Sequence, residues 1–489
     1  MELSSLDFIV IVLFFLSMVL IGLWSWLKNK TIEDYFVAGG NIPWWLSGIS
    51  HHVSGYSGAV FVAYAGLAYT HGFSLYIWWA LTIGIAVIFS AKVFPVLWVR
   101  LRQRYQIQSP LEYLVNRYNL LTQQIMAWSG VILKLFDVAA KWAAIAILLN
   151  VFTGIPLIWG ILIAGGVSLI YVTFGGLWAV ILTDFAQFIV QLLAGIIMFV
   201  AVVVHLGGVD SLFTFWDRLP QGHSQAFNEP YTFWFALTFL FINFLSYNGG
   251  TWNLATRYIS SPDEKQSAKA AYLSGTLYLI WPLILFLPLW AAPIILPQLD
   301  DPTQSYGLIT LYLLPAGLIG LVLASLFANT MSMTSSDINT ISAVITRDIL
   351  PMVSARLKKN EISLKIARTT TFSFTLLTII LASQHEHFGG VLGLIVTWFG
   401  ALVGPVAVPM LFGLLPFFSR CGSAAAISSI ILGFITFVIT KSVTIDSLAL
   451  SVALPVMVST ITYLLMGLLN RNKPVPEKVK FLLDSLKKK

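Results

Sequence analysis

Cysteine is almost missing from this chain: Cys421 is the single one in 489 residues, so no internal disulfide can form. Charge is scarce as well, at 10% of residues against 58% hydrophobic, with a mean hydropathy of +0.85. A soluble core could not hide so much apolar surface, which excludes an ordinary globular domain. Ten-residue segments of strand alternation are missing, which excludes an outer-membrane barrel; lipid then leaves only helices. No long Pro, Gly or Ser linker interrupts the chain, so residues 1–489 read as one membrane domain. Neither a Ser or Cys nucleophile motif nor grouped His ligands occur, which argues against an enzyme.

What is present is a succession of apolar windows of roughly 20 residues, each long enough to cross a bilayer. They fall near 7–27, 44–68, 73–98, 125–150, 157–177, 183–206, 231–254, 270–296, 306–346, 366–384, 389–416, 423–440 and 446–470. The fold class is therefore all-α integral membrane, with about 13 transmembrane helices. The first window follows acidic Asp7 and lacks a small-residue cleavage pattern, so residues 1–30 read as a retained extra helix and not a signal peptide.

The net charge of +7 raises the question of a nucleic-acid partner, and the location of the basic residues argues against one. With the N-terminus outside, most of the 28 lysines and arginines fall in cytoplasmic loops, counting Arg257 among them, and in the C-terminal tail 471–489. The opposite side keeps Arg218 and Lys441, while Lys92, Lys134 and Lys141 fall inside spans. This is the positive-inside asymmetry of a multi-pass plasma-membrane protein with its C-terminus in the cytoplasm, its basic tail facing anionic lipid. The sequence carries no signal for an oligomeric state.

Two spans are interrupted. "HHVSGYSG" (51–58) breaks the second and "SYNGG" (246–250) breaks the seventh. Small residues alone could mark close helix packing. Their spacing points further: five spans separate the breaks, so 44–206 and 231–416 form two five-helix halves, each opening with a broken helix and inserted with opposite topology. That is the pattern of an inverted-repeat carrier whose site lies at the breaks, where backbone carbonyls and helix ends face a cation or a polar solute at mid-membrane. Residues 423–470 add two C-terminal helices.

The ninth window carries oxygens at helical spacing in Asn329, Ser332, Ser335, Ser336, Asn339 and Ser342, suited to a hard cation or to helix packing. Asp184 opens the sixth window. A carboxylate in hydrocarbon costs roughly 2.5–3.5 kcal/mol on insertion scales, so it faces a cavity, an ion or a partner unless it is a helix cap.

Several segments resemble signatures of the sodium:solute symporter family: "DYFVAGGNIPWW" (34–45), "QSPLEYLVNRY" (108–118), "YVTFGGLWAVILTDFAQ" (171–187), "TRYISSPDEKQSAKAAYLSG" (256–275) and "SSDINTISAVITRD" (335–348). The resemblance implies a LeuT-like 5+5 inverted repeat and a symporter of a small polar solute. It implies a principal sodium site from carbonyls at Val53, Tyr56 and near Asn329 with hydroxyls at Ser332 and the next residue. That next residue is Met333, a soft thioether and a poor partner for a hard cation. A second sodium site carried over from the family comprises Asp184, Ser335 and Ser336, all with suitable chemistry.

Family positions that mark galactose binding hold Ala59, Val60 and Thr251 here. Candidate solute contacts are instead His51, His52, Tyr56 and Trp252 beside the breaks, and Lys134, Asp137 and Lys141, spaced to share a face of the fourth span. The leftover positive charge of that trio would suit a sugar acid, or the trio is structural; the aromatics would suit a pyranose ring. The first expectation is sodium-coupled import of a sugar or sugar acid. Proton coupling, or sodium-coupled transport of amino acids or other carboxylates, are the alternatives.

Overall fold

The computed structural model describes residues 3–58, 60–354, 362–384, 404–443 and 445–487. The described residues form helices and no strand beyond one isolated bridge between Asn228 and Tyr231. The principal helices are α1 (Ser5–Trp26), α2 (Trp44–Val53), α3 (Val60–His71), α4 (Phe94–Tyr105), α5 (Leu120–Thr153), α6 (Leu157–Leu206), α7 (Phe233–Leu245), α8 (Asn253–Ile259), α9 (Glu264–Ile295), α10 (Leu318–Val344), α11 (Leu364–Ala382), α12 (Ser423–Ser442), α13 (Leu448–Leu469) and α14 (Glu477–Ser485). Among the described residues, seven helices are long and apolar enough to cross a membrane. An eighth is added if Tyr76–Ser90 and α4, bent by 53°, are one span. The window expected at 389–416 lies mostly outside the described residues, which resume at Gly404–Phe412. Ala59 lies outside them too.

Local chemistry sets the helix ends. The side chain of Asn119 accepts from the Thr122 amide to start α5, and Gly154 ends it with φ 69°, a left-handed conformation that glycine adopts without a Cβ penalty. The 50 residues of α6 would extend about 75 Å if straight, more than twice the hydrocarbon thickness. Gly176 interrupts them at φ 51°, ψ −146°, where an added Cβ would lie 2.5 Å from the Tyr35 carbonyl oxygen. Two helices result, as the windows 157–177 and 183–206 anticipate. The break falls at Gly176, so Asp184 stands two turns inside the second half and is not its cap.

Both expected interruptions are present. The regular helix stops after Val53, with Ser54 as its cap, and resumes at Val60. Between α7 and α8 the chain widens into a π turn over Ser246–Gly250, then passes through Gly249 at φ 117° and Trp252 at φ 67°. A tryptophan in that region is strained, and packing holds it there: the ring lies where a Cβ on Gly130 of α5 would come within 1.8 Å of it.

The central element is α10. Its residues from Val322 to Val344 are all buried, including the whole polar stripe. Against its start lies α1, where the Asp7 carboxylate accepts from the amides of Gly317 (2.8 Å) and Gly320 (2.6 Å), satisfying donors that a helix start leaves open. Part of the basic tail is ordered. It folds as α14 and buries Val479, Leu482 and Leu483 against the protein.

Candidate ion and solute site

Asp184 is fully buried where α2, α6, α8 and α10 meet. Its Oδ2 accepts from the Ser50 hydroxyl at 2.5 Å and the Ser54 hydroxyl at 3.1 Å, and its Oδ1 from the Ser332 hydroxyl at 2.7 Å. The fourth partner is one that sequence reasoning assigned to a cytoplasmic loop. Arg257, buried at 0% exposure, sends Nη2 to Asp184 Oδ2 at 3.2 Å, to Ser54 Oγ at 3.1 Å and to Ser336 Oγ, and its Nε to Ser50 Oγ at 2.9 Å. Its Nη1 donates to Thr256 Oγ1 at 3.1 Å. The loop assignment failed because α8, the second half of a broken helix, is still inside the protein when the apolar window ends. The visible signal was an arginine only seven residues past the helix break.

Residues of both expected sodium sets lie in or beside this cluster. Ser332, assigned to the principal set, bonds Asp184 directly. Ser336 joins the cluster through Ser54 at 2.9 Å, while Ser335 turns its hydroxyl back to the carbonyl of Ser332 at 3.1 Å. The first break does lie against α10: the Gly58 amide donates to Thr330 Oγ1 at 3.1 Å, one residue from Asn329, whose own side chain donates to the Ser325 carbonyl. This brings the segment from Val53 to Tyr56 beside the stripe. Chemically, the hydroxyls and the carboxylate are the hard oxygens that sodium prefers. Every polar oxygen of Asp184 and its serines is at the same time bonded within one network.

The lysines are paired. Lys134 Nζ lies 2.6 Å from Asp337 Oδ1 and 3.3 Å from Asp137; Lys141 Nζ lies 2.7 Å from Asp137 and 2.9 Å from Asp337 Oδ2. Among the described residues, two cations and two carboxylates make a buried square of balanced charge joining α5 to α10. The positive charge expected to remain for a sugar acid is cancelled by Asp337, which reads in sequence as one more polar residue of the stripe.

Around the breaks lies an aromatic group. His51 uses both ring nitrogens, Nδ1 with Ser274 Oγ at 2.7 Å and Nε2 with the Tyr247 carbonyl at 3.0 Å and the Tyr258 hydroxyl at 2.9 Å. His52 packs edge-on to Tyr56 and Tyr278. The Tyr56 hydroxyl donates to Gln191 Oε1 at 3.2 Å. His52 Nδ1 and Gln191 Nε2 are buried and have no partner among the described residues. Trp252 is also buried, its ring against Gly130 of α5. The breaks themselves are tied together: the Tyr247 hydroxyl donates to the Gly55 carbonyl at 2.7 Å, and Asn253 Nδ2 to the Ser54 carbonyl at 3.3 Å.

Apolar helices packed around two interrupted ones, whose exposed backbone and polar side chains converge in the interior, define a multi-pass membrane carrier. The chain belongs to the sodium:solute symporter family, whose model matches residues 35–433. Membership makes it a sodium-coupled solute carrier and not an enzyme. It is 25% identical over 450 residues to the sodium/sialic acid symporter of Proteus mirabilis (strain HI4320), covering 86% of each chain. It is 25% identical to the sodium/glucose cotransporter of Vibrio parahaemolyticus, over 88% of this chain and 84% of that one. Among solved structures, a substrate-bound, outward-open sodium-coupled sialic acid symporter superposes with a TM-score of 0.82 at 21% identity, over 95% of this chain and 98% of that one. A nucleobase-cation-symport-1 family transporter superposes with a TM-score of 0.55 at 15% identity, over 94% and 99%. These superpositions speak for the fold alone.

Proposed function

We propose that this symporter imports a sugar or sugar acid with sodium by alternating access across the plasma membrane. In this reading, 13 helices form a LeuT-like pair of inverted repeats, 44–206 and 231–416, with the N-terminus outside and the C-terminus in the cytoplasm. The observation that carries it is the direct bonding of the two breaks to each other beside Asp184 and the serines of α2 and α10. A shared ion and solute region at the breaks lets occupancy of one bias the geometry of the other.

The solute would sit at the aromatic group. Tyr56, Tyr247 and Tyr278 offer ring faces to a pyranose, and His52 Nδ1 with Gln191 Nε2 offer buried polar groups that hydroxyls could satisfy. The named substrates of the relatives, sialic acid and glucose, support a sugar-like solute. The lysine square gives no support to an anionic one.

One cation entering down ~100 mV gains roughly 2.3 kcal/mol, and a tenfold gradient adds about 1.4 kcal/mol. One coupled ion therefore holds an uncharged solute at a ratio on the order of 500. Uptake into proteoliposomes, with sodium and proton gradients imposed separately across sugars, sugar acids and amino acids, tests the reading. Sodium-driven uptake of a sugar or sugar acid is expected, and Asp184→Asn is expected to abolish its sodium stimulation. Uptake that follows protons and ignores sodium would replace the reading with proton-coupled symport.

A further inference from the structure

Arg257 raises a conflict that the two sodium sets alone do not contain. Its guanidinium donates to Ser50, Ser54, Ser336 and Asp184 Oδ2. A sodium ion drawn to the same oxygens would lie within a few ångströms of a full positive charge in a water-poor interior, where like charges repel by several times their interaction in water. The ion and the guanidinium cannot hold these oxygens together.

We infer that Arg257 is a tethered cation that competes with sodium for Asp184, so that sodium binding requires the guanidinium to leave the cluster and move α8 with it. The inference rests on the reading of Asp184 as a sodium ligand. The geometry favours exchange for three reasons. Arg257 stands on the short α8, which is entered through the strained Trp252 and the π turn. The other members of the cluster stand on α2, α6 and α10. Asn253, one turn before Arg257 on α8, holds the Ser54 carbonyl of the first break, so moving α8 changes the contact between the breaks. Exchange at Asp184 would thereby reach the solute region without any contact between ion and solute.

The test is sodium binding to purified protein without solute, read by radiolabelled-sodium binding and by the sodium-dependent rise in melting temperature against choline. Arg257→Gln should bind sodium at least about tenfold more tightly than the wild type. Its melting temperature should depend more steeply on sodium, because the ion then supplies the charge that Asp184 has lost. Asp184→Asn should bind markedly less. If Asp184→Asn lowers binding while a folded Arg257→Gln binds sodium equally or more weakly, the competition is refuted and the Asp184 site stands. If Asp184→Asn leaves binding unchanged, the site reading falls and the competition with it. Should Arg257→Gln fail to fold, hydrogen exchange in the wild type decides: faster exchange of 253–259 in sodium than in choline supports displacement, and unchanged exchange while sodium binds refutes it.

Discussion

Asp337 and Arg257 matter because each turns a charged residue legible in the sequence into half of a pair. An uncompensated charge in a buried square is costly. Asp337→Asn, which leaves two lysines facing one carboxylate, should cost about 3–5 kcal/mol and appear as a large drop in the melting temperature of purified protein. Lys134→Met should cost a similar amount alone. The double variant should cost clearly less than the sum, since the two share one interaction. Strict additivity would mean that the 2.6 Å contact is energetically idle. Neither change is expected to act through solute charge: among folded, inserted protein, the half-saturation concentration of Lys134→Met should shift equally for neutral and anionic solutes. Trp252 adds a steric case. Gly130→Val would put side-chain atoms inside its ring, so loss of uptake with intact membrane insertion is expected, together with a changed tryptophan emission.

Among the elements, the interrupted helices and the terminal helix behave differently from what their sequences suggest. The breaks were visible because Ser and Gly cluster within apolar runs, and hydropathy shows such gaps directly. Their consequence for α8 was not visible: a half-helix of seven residues carries too little apolar sequence to register as buried, although it is. The tail shows the same limit. Its lysines mark a basic cytoplasmic segment but not its docking: Arg100 Nη1 donates to the Leu486 carbonyl at 2.5 Å, Lys478 Nζ to the Tyr118 carbonyl at 2.9 Å, and Tyr105 pairs with Ser485 at 3.2 Å. Arg100 is itself fixed by a two-pronged pair with Glu264 at 2.7 and 2.8 Å. Deleting residues 474–489 removes the burial of Val479, Leu482 and Leu483, each worth roughly 1.5–3 kcal/mol when complete. The melting temperature should fall by several degrees, and an unchanged value would show that α14 does not stay docked.

For the whole molecule, the sequence by itself determined the properties that depend on short windows. Scarce charge and long apolar runs made the chain an all-helical membrane protein, small polar clusters located both breaks, and serines three and four apart marked the oxygen stripe of α10. These follow from local periodicity and from lipid's refusal of unpaired backbone. The tertiary structure alone decided which charges meet. Asp184 and Arg257 are 73 residues apart, Lys134 and Asp337 are 203, and Asp7 and Gly320 are 313. No window of sequence spans such distances, and a buried charge takes its chemistry from its partner. A chain read one segment at a time can therefore state that Asp184 must be compensated, but only the packing of α2, α6, α8 and α10 around it reveals that an arginine is already there.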